Sequence, residues 1–167
     1  MRHLNGVISS VLPAVAASLL LLSSSAVIAQ TPAAAPTPDY HPSLGDLMTM
    51  AIQPRHTKLG LAGQQGNWAY AQYELSELRN AFARVARTIP IYRNIDMTAV
   101  IGAMTTEPLK AVDQAIQAKD VRQFKTAYAT LTTTCNACHL SQDHAPIVIR
   151  VPTTNPYLDQ DFRRPAR

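Results

Sequence analysis

Five consecutive residues, Cys135-Asn136-Ala137-Cys138-His139, place two thiols and an imidazole at a spacing that suits one chemistry above others. Residues three apart on a helix lie on neighbouring turns of one face. Two thiols so placed can each add to one vinyl group of a single porphyrin, and the next residue presents an imidazole to the iron. This is the C-x-x-C-H spacing of covalent haem c attachment. It makes Cys135 and Cys138 the candidate thioether links and His139 the candidate proximal iron ligand, whose identity is a main lever on iron chemistry. Two other chemistries use the same residue types. A redox dithiol normally accompanies a βαβ pattern, and none is visible. A zinc site needs about four ligands; Cys135, Cys138, His139 and His144 supply that number, at a spacing that matches no common zinc module. The C-x-x-C-H motif occurs once, so one covalent haem is expected.

The other side of the iron is an open position. His56 falls on the apolar face of the first expected helix, four residues after Ile52 and three before Leu59, and is a candidate distal ligand. The competing reading is a buried histidine held by hydrogen bonds. Met48 and Met50 are rivals, because a thioether ligand raises the potential, although methionines in such seams more often fill space. An open or water-bound iron is the third alternative. Arg55 and Lys58 flank His56 and are candidate contacts for the haem propionates through charge-assisted bonds; the competing reading, slightly favoured for each residue taken singly, is a solvated helix face. His144 is placed to shield the haem edge or to bind a propionate.

The elements that must position these residues read as helices. Trp68, Ala71, Leu75, Leu78, Phe82 and Val85 recur at helical spacing, and so do Val121, Phe124, Tyr128, Leu131, Cys135 and Cys138. Each set forms the apolar seam of a helix packed lengthwise on its neighbours, and the second puts both cysteines on the seam. Asp120 with Gln123 resembles a capping box for the last helix, and Asn67 is a cap for the second. Gly60, Gly63 and Gly66 mark a loop before that helix, and Ile89-Pro90 ends it. Asp96 opens a third helix carrying Met97, Ile101, Met104, Val112 and Ile116, which either kinks at Pro108 or restarts with Thr106 as cap. The first helix is expected over about Ser43 to Leu61, with Pro54 threatening a kink. The fold class expected is all-α, a four-helix bundle over 43–140, followed by an extended, non-helical tail over 141–167. The apolar run Ile147 to Val151 is costly to leave exposed, which suggests that the tail folds over the haem edge or crosses to a second subunit.

Residues 1–29 have the form of a secretory signal: a short positive start, an apolar stretch over Val7 to Leu22, and small residues before a cut after Ala29. Pro13 and the serines keep the apolar run below the roughly 20 residues of a membrane span, so no stable membrane insertion is expected once it is removed. Residues 30–42 form a Pro/Ala-rich lead-in. The 15 Lys and Arg against 11 Asp and Glu are spread without a basic cluster, which gives no reason to expect nucleic-acid binding. A chain of 167 residues suits one domain.

A helical bundle with its attachment motif near the end of the last helix resembles the cytochrome c-prime group, over about Ser43 to His139. It differs from mitochondrial-type cytochromes c, whose motif lies near the N-terminus. The resemblance implies that His139 is the proximal ligand. It also implies an iron that is often five-coordinate beneath an apolar side chain of the first helix, and pairing through the first two helices into a homodimer. The stretch from Pro54 to Trp68 and the tail depart from the c-prime pattern. The segment His56-Thr57-Lys58-Leu59 and the tail are similar to those of a subfamily of periplasmic cytochromes, a likeness that implies no function.

These readings converge on a periplasmic mono-haem c-type cytochrome that transfers electrons between redox partner proteins and is not itself an enzyme. The alternative is binding of nitric oxide or carbon monoxide at an open distal site. A peroxidase-type haem is the third class; it requires distal acid–base groups, for which only His56 with Arg55 are available. Ligation of the iron by His56 favours electron transfer, and a His56 standing off the iron favours the other two.

Overall fold

The computed structural model describes residues 40–165. The expected signal sequence and the lead-in as far as residue 39 lie outside the described residues, as do 166 and 167.

The chain enters its first helical stretch at Ser43. The Asp46 N–H donates to the Ser43 hydroxyl, and the Ser43 N–H donates to the Asp46 carboxylate, a reciprocal capping box. Helix α1 (Leu44–Leu47) runs directly into a π-helical turn (Met48–Ile52) and then into α2 (Gln53–Gln64), with right-handed helical backbone at each junction. The Gln53 N–H reaches back to the carbonyl of Met48, a step of five residues. This widened turn lies just ahead of Pro54, which has no N–H to give. The kink expected at Pro54 is therefore absorbed as a π turn.

Gly60 and Gly63 are not loop residues, as the sequence suggested; both lie inside α2. A Cβ at Gly63 would collide with the Phe124 ring, and one at Gly60 with the Tyr128 ring. The glycines let α2 approach two aromatic side chains of the last helix. Only Gly66 is in the turn, with φ of 67°, and it leads to Asn67, which caps α3 (Trp68–Thr88) by accepting from the Tyr70 N–H.

A small hairpin follows. Strands β1 (Ile91–Tyr92) and β2 (Ile95–Asp96) pair antiparallel through Arg93 and Asn94, both with positive φ. Two left-handed residues in a two-residue loop match the right-handed twist of the flanking strands. The chain is thus mostly helical, and the hairpin is the one departure among the described residues from an all-α reading. Asp96 caps α4 (Met97–Ala118), which passes through Pro108 unbroken, so the restart at Thr106 does not occur. Lys119 turns left-handed, and Asp120 caps α5 (Val121–Ser141) by accepting from the N–H groups of Arg122 and Gln123.

Helix α2 packs on α3, α3 on α4 and α4 on α5, and α5 returns to α2. Between them lie Leu59, Leu75, Leu78, Val85, Val112, Phe124, Tyr128 and Leu131, all essentially inaccessible to water. No helix among the described residues is long and apolar enough to cross a membrane.

Residues 142–165 hold no helix or strand and pack back on their own chain. Gln64 donates to the Pro152 carbonyl, and Lys58 Nζ lies 4.7 Å from the centre of the Tyr157 ring. Phe162 is buried and stacked on Tyr70, and Asn67 donates to the Arg163 carbonyl.

Candidate haem-attachment site

The Asp120 cap sets the phase of α5. From it follow the buried Phe124, Tyr128 and Leu131, and the same face then carries Cys135 and Cys138, both half-buried. The two thiols are unbridged. Burial pushes the Cys135 thiol up to about 11 and that of Cys138 in the same direction. Both are protonated at neutral pH, which disfavours the thiolate chemistry of a working dithiol.

The end of α5 opens on a cavity of about 410 Å³, within the roughly 300–1,000 Å³ usual for small-molecule sites. Cys138 and His139 lie on its wall, with Leu44 and Met48 from the first helical stretch. Met97 and Val100 come from α4, Tyr92 from the hairpin, and His144, Ile147 and Ile149 from the tail. The lining is largely apolar, as a porphyrin face requires. Cys135, one turn earlier on the same face of α5, does not line it. One thiol and the imidazole on the wall of an apolar cavity, with the second thiol one turn back on the same helix face, fit a covalently held haem.

The His139 ring has a defined orientation. Its Nδ1 lies 2.7 Å from the Ile147 carbonyl oxygen. A carbonyl only accepts, so Nδ1 carries the proton and Nε2 keeps the lone pair that a metal takes.

Like Cys135 and Met50, the candidates His56, Arg55 and Lys58 do not line this cavity. His56 is 3% exposed and sits in the core with both ring nitrogens engaged. Its Nε2 is 3.0 Å from Thr132 Oγ1, and that hydroxyl donates to the Tyr128 carbonyl. Its Nδ1 is 3.0 Å from the Tyr128 hydroxyl oxygen, that hydroxyl donates to the His56 carbonyl at 2.6 Å, and the rings stack. Burial lowers the His56 pKa to about 4, which keeps the ring neutral. Of the two alternatives for His56, this placement is the hydrogen-bonded core histidine. Arg55 reaches the buried Glu74 carboxylate at 3.2 Å and Glu77 at 3.7 Å. Lys58 lies over Tyr157. Their partners are protein side chains on α3 and the tail, where propionates were the expectation.

Of the rival thioethers, Met48 lines the cavity, while Met50 is 60% exposed. His144 lines it too, with Nε2 3.4 Å from the Tyr92 hydroxyl. Tyr92, Met97 and Ile149 had no local signal marking them as site residues, because their meeting with α5 is set by tertiary packing. Among the described residues, no three His, Cys, Asp or Glu side chains converge as a metal-binding group, so Cys135, Cys138, His139 and His144 do not form one.

No family model, no curated protein and no solved structure matches this chain.

Proposed function

We propose that this chain is an exported, periplasmic c-type cytochrome, a four-helix bundle of the c-prime kind that carries one covalent haem and transfers electrons. One observation carries the reading: the C-x-x-C-H motif lies on the last turns of α5, with Cys138 and His139 on the wall of an apolar cavity. Cys135 and Cys138 would hold the haem through thioethers, and His139 Nε2 would ligate the iron. When bound, the haem supplies a one-electron couple whose potential depends on its axial ligands and on burial. The chain's own residues do the rest. Leu44, Val100 and Met97 exclude water, the caps of α4 and α5 keep the walls in place, and Met48 offers a thioether from the π turn, a feature often found at functional sites. A mildly basic surface, net charge +4, favours acidic redox partners.

A second reading is favoured by His56. Because it is tied to Tyr128 and Thr132, the iron's second axial position would be open unless Met48 or His144 filled it, and an open iron would take nitric oxide or carbon monoxide. The same placement takes His56 and Arg55, the pair named for peroxidase chemistry, away from the cavity.

Optical spectra of the oxidised and reduced protein, wild type beside His56→Ala and Met48→Ala, separate the readings. Electron transfer predicts a low-spin spectrum with sharp reduced bands, kept in His56→Ala and lost in Met48→Ala. A high-spin spectrum that shifts with carbon monoxide and ignores both substitutions would put gas binding first. A protein without haem absorbance would end both.

A further inference from the structure

The first turn of the tail is joined to the end of α5 by an unusual set of polar contacts. The helix closes with Asp143 in the left-handed region, φ 59°, and with the His144 N–H on the His139 carbonyl at 2.7 Å. This is the six-to-one bond of a Schellman ending, in which the left-handed residue is usually glycine. The chain then runs back along the helix. The Ile147 N–H donates to the His144 carbonyl, and the Ile147 carbonyl meets His139 Nδ1 at 2.7 Å. Two residues on, the Asn136 carboxamide takes both backbone groups of Ile149. Its Nδ2 donates to the Ile149 carbonyl at 2.9 Å, and its Oδ1 accepts from the Ile149 N–H at 2.7 Å.

Apolar burial does not explain why this segment lies where it does. The Ile147 and Val148 side chains remain 54% and 62% exposed, so they forgo most of the stabilisation that burial would bring. The pair of bonds from Asn136 is the contact that fixes the path. Only a carboxamide of this length offers a donor and an acceptor side by side to one residue's backbone; aspartate lacks the donor. Asn136 is also the residue directly after Cys135, so the clamp is built into the attachment motif itself.

We infer that residues 144–149 are a strap that orients the proximal histidine, and that Asn136 is its positioning residue. The inference rests on the reading of His139 as an iron ligand. Histidines that ligate metals commonly donate their second ring N–H to a carbonyl, which fixes the ring and raises the basicity of the ligating nitrogen. Here the carbonyl comes from Ile147, and Ile147 is held in place through Ile149 by Asn136. A more basic Nε2 favours ferric iron, so the strap lowers the midpoint potential.

The test uses the exported, full-length, haem-loaded protein as wild type, Asn136→Ala, Asn136→Asp and Ile149→Pro. Proline removes the N–H that Asn136 accepts from, so the clamp is broken from either side. Two quantities are read: the midpoint potential, and exchange of the His139 Nδ1 proton with solvent, followed by nuclear magnetic resonance on the reduced, nitrogen-labelled protein. The expectation is covalent haem in all four. In Asn136→Ala and Ile149→Pro the potential rises, and exchange is faster by about three- to tenfold, the worth of one ordinary hydrogen bond. Asn136→Asp, which keeps the acceptor alone, falls between. Unchanged potential and exchange in both clamp-breaking variants, with haem attached, would overturn the strap even if they melt at lower temperature. An unsubstituted protein without covalent haem would overturn the underlying reading instead.

Discussion

His56 shows how a single side chain is recruited by what faces it. Its spacing from Ile52 and Leu59 marks it as buried, and it is. What it meets is decided 72 and 76 residues away, by Tyr128 and Thr132 on α5, and nothing local in the sequence carries that information. The environment leaves a titration signature. The folded-state pKa is about 4, below the ordinary 6.5, because burial disfavours the imidazolium. Between those values the unfolded chain binds a proton that the native state refuses. Stability is therefore full above pH 6.5 and falls as the pH drops towards 4, by about 2–3 kcal/mol at the bottom of that window. Urea unfolding of the wild type and His56→Gln at pH 7, 5.5 and 4 checks this. The wild type should lose stability more steeply than the variant, and parallel pH profiles would contradict the neutral, buried His56. The proposed attachment residues Cys135, Cys138 and His139 stand out in the sequence by contrast, because they lie within one five-residue motif.

The elements follow local rules where those rules are strong. Asn67, Asp96 and Asp120 were readable as caps because a side-chain acceptor ahead of an apolar repeat has one common use, and each caps its helix, although the Asp120 N–H goes to the Ala115 carbonyl and not to Gln123 as the expected box would have it. Glycines and prolines were harder. Gly60 and Gly63 read as loop punctuation, yet they lie inside α2 because Phe124 and Tyr128 fill the space where a Cβ would be. Pro54 and Pro108 both sit inside helical stretches, the first behind a π turn. The glycine contact has a measurable consequence. Alanine at an ordinary helix interior stabilises by about 0.5–1 kcal/mol relative to glycine. At Gly63 the methyl would strike an aromatic ring, and overpacking costs about 1–3 kcal/mol. Gly63→Ala should therefore lower stability by about 1–2 kcal/mol, read as a lower urea midpoint at an unchanged slope. A higher midpoint would mean that α2 and α5 are not in close contact.

At the scale of the whole molecule, the helices, the hairpin and the tail meet at one cavity, and the sequence alone points to only part of it. The last helix and its thiols were evident from periodicity. The tail and His144 were expected against the haem edge, but the hairpin that contributes Tyr92 and the bonds from Asn136 that place Ile149 were not legible, because irregular segments have no period and are placed by non-local bonds. The central claim concerns the molecule as it leaves the cell's interior, and intact mass after acid-acetone extraction tests it most directly. The exported protein should weigh the chain from Gln30 onward plus one haem, and Cys135→Ala/Cys138→Ala should lose that haem to the solvent. Wild-type protein at the mass of the bare polypeptide, or haem that stays on the double variant, would contradict it.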